Sequence, residues 1–330
     1  MKTNPRRPQW TVLEHEIYRL WRENPQFPRG ELIVGWSGGA DSTCLLQLLS
    51  VLAGSLECQI HAVTVHHGPG RWEKARDQAL DFCKKQSEAQ PLSWAKPWSW
   101  EFVQAEEMLT SEAALRKFRL SVLKRIREER GAAGIVLAHH EQDLLETRLM
   151  RLFRGTGPDG LPAMKEWRSP MLRPFLHISR QQILQQLKER KLSWFEDPSN
   201  QDLGPMRNWL RRELLPRIQS RNASWLQNTA RSLDLMAEFQ NEQIPSDFLR
   251  SLLKDGSHGI CRMEFGKLSP TLRQMVLARY IKSLGVNHFT HSQIKEILKH
   301  LDKNQKKHSF RVAHCEWVVN AEQFLARPID

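Results

Sequence analysis

The sequence predicts an α/β fold, in which a parallel sheet flanked by helices is followed by a second, mainly helical domain. Short apolar runs typical of buried strands occur at residues 32–34, 59–65 and 135–138. Each run is followed by a segment with apolar residues at helical spacing, and such alternation indicates βαβ units with parallel strands. Beyond about residue 216 the patterns are mainly helical.

The chain length predicts more than one domain. A chain of 330 residues exceeds what one ordinary hydrophobic core holds, so two or three domains are expected. We place the α/β domain at residues 1–218 and the mainly helical domain at residues 219–330. Alternating apolar and polar residues at 309–312 and 316–319 predict that the second domain ends in a β-hairpin.

Composition indicates which class of partner and which cellular compartment to expect. The net charge of +12 favours a polyanionic partner such as nucleic acid, although a well-solvated basic surface has the same composition. No apolar run approaches the roughly 20 residues needed to cross a bilayer, so a cytoplasmic protein is expected. The five cysteines form no C-x-x-C pair, which disfavours disulfides, zinc sites and cysteine-ligated iron–sulfur clusters.

An amphipathic segment precedes the first strand. Residues 10–22 place Val12, Ile17, Leu20 and Trp21 on or near one helical face. Prolines and a glycine follow, so this segment is expected to form a helix that docks beside the sheet.

A glycine-rich turn joins the first strand to its helix. Ser37, Gly38, Gly39, Ala40, Asp41 and Ser42 occupy this turn. A turn of this kind exposes backbone N–H groups at the positive end of a helix dipole, where a phosphate can bind. The turn lacks the lysine of a Walker loop, and no G-x-G-x-x-G pattern is present, so the usual kinase and dinucleotide-binding interpretations fit poorly.

The second strand ends at His66 and His67. Because parallel strands joined by a helix cross over right-handed, Ser37 and His66 are expected at the same edge of the sheet. The edge that holds the glycine turn therefore also receives a histidine pair.

A basic helix begins after Ser111, which is its expected N-cap. Its buried stripe consists of Leu115, Phe118, Val122 and Ile126. Arginines and lysines cover the remaining surface, and taken alone they indicate a solvated basic face.

The third strand is followed by His139, His140 and another helix. On that helix Asp143 and Glu146 stand three residues apart and can face the same way. A carboxylate pair there can hold Mg²⁺ on bound phosphates, whereas the alternative is simple capping of the helix dipole. Arg148, Arg151 and Arg154 form a row further along the helix.

The turn Ser37–Ser42 matches the pyrophosphate-loop motif of the N-type ATP pyrophosphatases, the PP-loop family. Four more stretches, which with it cover most of residues 31–217, resemble one branch of that family, the tRNA(Ile)-lysidine synthetases. These stretches are Val65-His66-His67-Gly68; Glu112 with Arg116 and Arg119; His139 to Thr147 with Arg151 to Gly157; and Trp194 to Asn200 with Arg207 and Asn208.

The resemblance implies a PP-loop catalytic domain, a tRNA-binding helical domain and an ATP-dependent carbon–nitrogen ligase. Such enzymes adenylate the carbonyl oxygen on carbon 2 of the wobble cytidine in a CAU-anticodon tRNA(Ile), and lysine then displaces AMP from carbon 2. ATP and Mg²⁺ are the implied cofactors, tRNA(Ile) and L-lysine are the implied partners, and a homodimer is compatible with the family. The chain stops at Asp330, which resembles the shorter architecture of this family.

The resemblance also implies roles for individual residues. The nucleotide is expected on Ser37, Gly38, Gly39, Ala40, Asp41, Ser42 and His66. Catalytic roles are expected for Asp41, Arg116, Asp143 and Glu146. The metal is expected on Asp41 and Asp143. Contacts with tRNA and its cytidine are expected from Arg116, Arg119, His139, His140, Arg151, Arg154, Arg207 and Asn208.

The sequence departs from the family pattern H-H-x-D-D-Q-x-E-T at two positions. Gln142 replaces the first aspartate and Leu144 replaces the glutamine, while Leu115 and Leu120 replace family residues around Arg116. Gln142 and Leu144 keep open the alternative of a catalytically impaired relative that only binds tRNA. A different tRNA-modifying PP-loop enzyme such as a thiolase is a second alternative, and the absence of a C-x-x-C pair disfavours it.

Overall fold

The computed structural model describes residues 10–68, 72–89, 98–106, 111–156, 160–222, 224–243, 259–286, 289–303 and 307–329. The chain divides into two compact units. The first consists of residues 1–146 and 164–214, and the second of residues 147–163 and 215–330.

A six-stranded sheet organises the first unit. Its strands in chain order are β1 (Gly30–Gly35), β2 (Cys58–His66), β3 (Ser99–Gln104), β4 (Gly134–Val136), β5 (Trp167–Arg168) and β6 (Met171–Leu172). The spatial order is β3-β2-β1-β4-β6-β5, and every neighbouring pair is parallel except β5 and β6. The predicted α/β fold with a parallel sheet is therefore confirmed.

Helices surround this sheet. They are α1 (Val12–Glu23), α2 (Ala40–Leu52), α3 (Glu73–Ala89), α4 (Glu112–Arg130), α5 (Glu141–Phe153), α6 (Arg180–Glu189) and α7 (Met206–Trp209). The helix α5 begins in the first unit and continues into the second. A π-helical turn at Leu210–Leu214 follows α7.

The two faces of the sheet carry separate hydrophobic cores. On one face, Ile17 of α1, Leu45 of α2 and Ile183 of α6 join the same buried cluster as Leu32 and Val34 of β1. On the other face, Val122 and Ile126 of α4 pack with Ile33 and Ile135. This alternation along β1 is what a strand buried on both faces requires.

The parallel register confirms that Ser37 and His66 lie at one edge of the sheet. Gly35 pairs with Val63, and the backbone N–H of Trp36 donates to the carbonyl of Val63 at 2.9 Å. Because β1, β2 and β4 run in the same direction, the residues that follow their carboxyl ends share this edge.

Three strands of the sheet were not predicted. The strand β3 lies in a tryptophan-rich segment, in which Trp98 is buried against Trp36 with ring centroids 5.3 Å apart. The strands β5 and β6 have only two residues each, too few for a periodic pattern.

The second unit combines helices with an antiparallel sheet of four strands. Its helices are α8 (Leu215–Arg221), α9 (Ser224–Gln243), α10 (Arg262–Gly266), α11 (Pro270–Ser283) and α12 (His291–Lys303). Its strands are β7 (Ile260–Cys261), β8 (His308–Val312), β9 (Cys315–Val319) and β10 (Gln323–Pro328), in the order β7-β10-β9-β8. The predicted terminal hairpin is β8 with β9, and the sequence missed β7 and β10.

The second unit has a hydrophobic core of its own. Trp317 and Phe324 from the sheet pack with Tyr280 and Ile281 of α11 and with Ile297 of α12. Within the described ranges, no helix combines the length and the apolar character needed to cross a membrane.

Candidate active site

The glycine turn forms a tight loop between β1 and α2. The Ser42 hydroxyl accepts the backbone N–H of Ser37 at 3.2 Å, donates to the carbonyl of Gly39 at 3.1 Å and lies 3.1 Å from the Ser37 hydroxyl. No side chain caps α2 at Gly39. The first N–H groups of α2 therefore point out of a turn whose shape is set by its own serines, as a phosphate site requires.

Gly38 is required by its backbone and by its neighbours. Its φ of +78° lies in the left-handed region that favours glycine. A Cβ at this position would lie 3.1 Å from the Cys83 sulfur and 3.2 Å from the Phe82 ring. Two residues of α3 therefore pack tightly against the turn, and a side chain at position 38 would crowd them.

Asp41 lies where three elements meet. Its Oδ2 atom is 3.7 Å from Nε2 of His140 and 3.5 Å from Nη1 of Arg180. Its Oδ1 atom is buried and has no hydrogen-bond partner among the residues that the structure describes. A buried carboxylate oxygen without a partner is unfavourable, so Asp41 is suited to bind a cation or a water molecule.

His140 stands between two carboxylates. Its side chain is fully buried, and its Nδ1 accepts the backbone N–H of Gln142 at 3.2 Å. A neutral ring in this arrangement carries its proton on Nε2. That atom is 3.7 Å from Asp41 and 3.6 Å from Asp143, so it faces both acids at slightly more than hydrogen-bond distance.

Arg211 binds both acids of α5. Its Nη2 lies 2.9 Å from Oδ1 of Asp143 and 2.9 Å from Oε2 of Glu146, and its Nε lies 2.8 Å from Oε1 of Glu146. The remaining oxygen of Asp143 accepts the backbone N–H of His140 at 3.1 Å. The capping alternative for Asp143 is therefore realised, together with an ion pair that the sequence did not predict.

The two acids differ in their electrostatics. Burial raises the pKa of Asp143, but His140, His139 and Arg211 outweigh it and hold the pKa below its ordinary value. Burial dominates at Glu146 and raises its pKa, although the Arg211 guanidinium opposes this effect. Asp143 is thus held as a carboxylate, whereas the charge of Glu146 depends on Arg211.

Arginines and histidines form a second cluster beside the acids. It consists of Arg116 and Arg119 on α4, Arg173 after β6, Arg207 on α7, and the side chains of His67 and His139. Burial lowers the pKa of His139 to about 3, helped by Arg173, Arg119 and Arg116 and opposed by Asp143. Burial also lowers the pKa of His67 to about 4, with Arg119 next in effect.

The arginines of this cluster repel one another. Burial lowers the pKa of Arg119, and Arg116 and Arg207 lower it further. Burial lowers the pKa of Arg173 to about 10, again with a contribution from Arg116. Concentrated positive charge beside neutral imidazoles favours an anion such as a phosphate group. Arg116 is therefore part of a charged site, and the solvated-face interpretation does not apply to it.

Three predicted site residues, His66, Asn208 and Arg207, have polar partners in neighbouring segments. Nδ1 of His66 accepts the backbone N–H of Gly68 at 3.2 Å, and its Nε2 lies 3.2 Å from Oδ1 of Asp77. Asn208 donates to the carbonyls of Ser199 and Asp202, at 3.3 and 2.8 Å, and so holds the turn that precedes α7. Arg207 lies 3.8 Å from Oε2 of Glu146.

The arginine row of α5 belongs to the second unit. Arg151 donates to the carbonyls of Gly160 and Ala163 at 2.7 and 3.3 Å. Arg148 donates to the carbonyl of Leu161 at 3.0 Å and pairs with Asp234 at 2.7 Å. Arg154 is exposed, and residues 157–159 of the predicted substrate loop lie outside the described residues. The RNA contacts of Arg151 and Arg154 stay predictions.

Sequence reasoning missed Arg173, Arg180 and Arg211. The only available signal for Arg211 was its place four residues after Arg207, which puts both on one helical face. Arg180 begins an ordinary amphipathic helix, and nothing in the surrounding sequence predicts that it contacts Asp41.

The described residues contain no group of three or more His, Cys, Asp or Glu side chains arranged to hold a metal ion. Mg²⁺ is commonly bound through one or two carboxylates together with substrate phosphates and water, so such a group is not required. Asp41 fits this role through its buried, unpartnered oxygen, whereas both oxygens of Asp143 already have partners.

Comparison with known proteins gives consistent similarities. A family model described as a PP-loop domain matches residues 11–218. A tRNA(Ile)-lysidine synthase of Bdellovibrio bacteriovorus is 36% identical over 94% of this chain and 96% of its own length. A tRNA(Ile)-lysidine synthase of Serratia proteamaculans is 34% identical over 81% of this chain and 61% of its own length.

A solved structure shares the fold. The U34-tRNA thiolase NcsA of Methanococcus maripaludis, with its [4Fe-4S] cluster, superposes with a TM-score of 0.52. The match covers 68% of this chain and 77% of the thiolase at 14% identity, and at that identity it shows the fold alone.

Proposed function

The chain belongs to the tRNA(Ile)-lysidine synthase family and carries its PP-loop domain, and from this premise we propose how its residues perform the reaction. The enzyme is an ATP-dependent carbon–nitrogen ligase. Its substrates are ATP, L-lysine and a tRNA(Ile) whose CAU anticodon presents a wobble cytidine.

Two bond exchanges make up the reaction. The carbonyl oxygen on carbon 2 of cytidine attacks the α-phosphorus of ATP, and pyrophosphate leaves with the electron pair of the broken phosphorus–oxygen bond. The ε-amine of lysine then attacks carbon 2, AMP leaves with the former carbonyl oxygen, and the amine nitrogen loses a proton. The base thereby carries lysine in place of oxygen.

The first exchange develops negative charge on pyrophosphate. The N–H groups at the start of α2 and the hydroxyl of Ser37 provide donors for those phosphates, while the Ser42 hydroxyl, which donates to Gly39, shapes the turn. Asp41 would hold Mg²⁺ through its unpartnered Oδ1 atom, which makes the metal part of this proposal. When bound, Mg²⁺ would neutralise phosphate oxygens during the transfer.

The second cluster suits the activated cytidine and the tRNA backbone. Arg116 and Arg119 supply fixed positive charge, and phosphates attract arginine regardless of nucleotide sequence. His139 stays neutral at pH 7 because burial and these arginines lower its pKa to about 3. A neutral imidazole can donate a hydrogen bond to the cytidine oxygen without adding charge.

The acids of α5 suit the reacting amine. Asp143 is held ionised, since the neighbouring charges outweigh burial and lower its pKa. An ionised carboxylate can accept a hydrogen bond from the ammonium group of lysine and so orient it. Arg211 fixes Asp143 and Glu146 in one geometry and so keeps this acceptor in place.

The observation that carries the proposal is the meeting of Asp41 with His140 and Asp143 at the edge of the sheet that holds the glycine turn. To test it, the protein is incubated with ATP, Mg²⁺, labelled lysine and a transcript of CAU-anticodon tRNA(Ile). ATP-dependent transfer of label to the tRNA is expected, and Asp41→Asn is expected to abolish it. No transfer by the unaltered protein would refute the proposal, and sulfur incorporation in place of lysine would indicate a thiolase.

A further inference from the structure

We propose that Arg180 is the side-chain cation that binds the departing pyrophosphate. This inference rests on the proposed function, because it concerns the ATP cleavage of that reaction. In a Walker loop a lysine within the motif supplies this charge. The turn Ser37–Ser42 contains no lysine or arginine, so a cation on the phosphates must come from elsewhere in the fold.

Arg180 lies at the right place to supply that charge. It is the first residue of α6, and its Nη1 atom lies 3.5 Å from Oδ2 of Asp41, within the first turn of α2. Its side chain is 43% exposed, so the guanidinium can reach a bound ligand as well as Asp41. The first turns of α2 and α6 therefore lie close together, and Arg180 connects them through Asp41.

A buried network of hydrogen bonds holds α6, the helix that begins with Arg180, in place. Gln186, further along α6, donates to Gln47 of α2 at 3.0 Å and to Glu14 of α1 at 3.0 Å. All three side chains are almost completely buried. The loop after α6 also contacts the glycine turn directly, because the backbone N–H of Phe195 donates to the carbonyl of Gly38 at 2.9 Å.

Local helix preferences do not explain an arginine at this position. The start of a helix carries positive partial charge, so a cation there is unfavourable unless an anion lies nearby. Ser179 and Gln182 already cap α6 through a reciprocal pair of hydrogen bonds, at 3.3 and 2.9 Å. Arg180 is thus not needed to complete the helix; the Asp41 carboxylate 3.5 Å away offsets part of this unfavourable charge, and an anionic ligand would offset more of it.

The guanidinium group of Arg180 has a geometry suited to binding pyrophosphate. Arginine presents parallel N–H donors that match two phosphate oxygens, and it stays protonated at any physiological pH. As the bond between the α-phosphorus and the bridging oxygen breaks, the electron pair moves onto pyrophosphate. A cation at its oxygens stabilises this charge, and removing one such donor from an enzyme typically costs roughly 10²–10³ in rate.

Binding of inorganic pyrophosphate to the full chain tests the inference without requiring turnover. Calorimetry is performed on the unaltered protein, on Arg180→Gln and on the control Lys188→Gln, which removes one positive charge from the other end of α6. We expect Arg180→Gln to weaken pyrophosphate binding about tenfold, or about 1.4 kcal/mol. Lys188→Gln should bind as the unaltered protein does. Equal affinity in Arg180→Gln, folded by circular dichroism, would overturn the inference.

A second background separates direct binding from positioning of Asp41. If Arg180 acted only by holding Asp41, then Arg180→Gln would have no effect in an Asp41→Asn protein. Direct contact predicts that the loss of pyrophosphate affinity persists there. Should Arg180→Gln fail to fold, Arg180→Lys keeps the charge and is expected to retain part of the affinity. Arg180→Lys loses the paired N–H donors of the guanidinium, so pyrophosphate affinity equal to that of the unaltered protein would contradict the direct two-oxygen contact.

The proposed function and this inference can fail separately. Lysine transfer without any dependence of pyrophosphate affinity on Arg180 would refute only the inference. An Arg180-dependent pyrophosphate site in a protein that transfers no lysine would refute only the proposed function.

Discussion

Arg211 forms a bidentate salt bridge with Glu146, with N–O distances of 2.8 and 2.9 Å, and the Glu146 side chain is fully buried. Arg211 lies in the π-helical turn Leu210–Leu214, and such turns often occur at functional sites. The geometry holds an acid of α5 against a segment that is distant in sequence. This salt bridge therefore restrains the position of the Glu146 carboxylate.

Breaking this pair should destabilise the first unit. Arg211→Gln leaves the buried Glu146 carboxylate without its cation, and removing one partner of a buried pair costs about 3 kcal/mol or more. Urea unfolding measures the loss. In a double-mutant cycle with Glu146→Gln, the two losses should be strongly non-additive, because neutral partners no longer need each other. Simple additivity would show that the pair is not coupled.

His67 should make stability depend on acid pH. Burial and Arg119 lower its pKa to about 4 in the folded protein, below the ordinary histidine value of 6.5. The unfolded chain therefore takes up the proton first, so this contribution is complete above pH 6.5 and is lost as the pH falls towards 4. The loss is at most about 1.4 kcal/mol per pH unit.

The comparison with His67→Gln isolates this effect. Chemical unfolding at several pH values from 7 down to 4.5 should show a shallower decline for the variant than for the unaltered protein. Parallel curves would show that His67 titrates normally in the folded state.

Gly38→Ala should abolish nucleotide binding. The substitution combines the strained φ of +78° with a Cβ only 3.1 Å from the Cys83 sulfur, so either the turn or the Cys83 and Phe82 side chains must move by a few tenths of an ångström. The control is Gly131→Ala at the end of α4, where φ is +64° and nothing lies within 4 Å. Both should lose about 1 kcal/mol of stability from backbone strain. Only Gly38→Ala should lose ATP affinity in a binding titration, and equal ATP affinities would contradict the assigned role of the turn.

Gln142→Asp should change the rate of lysine transfer very little. In the proposed mechanism Asp41 would hold Mg²⁺, and Arg211 fixes Asp143 and Glu146, so the site does not need a further carboxylate at position 142. Leu144 is likewise accommodated, because its side chain is buried. Single-turnover transfer measures the effect. A tenfold gain, equivalent to about 1.4 kcal/mol, would show instead that Gln142 impairs the enzyme.

Local sequence signals predicted the elements with strong periodicity. The apolar run of β1, the glycine turn and the helix α2 were predicted because each has a period or a backbone requirement visible within a few residues. The same logic predicted the hairpin of β8 and β9. Short strands such as β5 and β6 gave no signal, since two residues cannot show alternation.

Long-range contacts account for what the sequence left undetermined at the site. The family resemblance implied site roles for Asp41, His140 and Asp143, and each of them follows a strand whose carboxyl end lies at the shared sheet edge. Arg180 and Arg211 reach the same acids from helices far along the chain, and no spacing in the sequence reports such contacts. The resemblance assigned the metal to both Asp41 and Asp143, and the bonds of Asp143 to Arg211 and to the His140 N–H favour Asp41.

Nucleoside analysis of the reacted tRNA shows directly whether the protein joins lysine to the wobble cytidine. CAU-anticodon tRNA(Ile) transcript is treated with the protein, ATP, Mg²⁺ and lysine, digested to nucleosides and analysed by mass spectrometry. A matched transcript with uridine at the wobble position serves as the control. We predict that the wobble cytidine alone gains lysine with loss of one water, that AMP and pyrophosphate form in equal amount to it, and that the uridine transcript is unchanged. An unmodified cytidine, or lysine on both transcripts, would contradict the account.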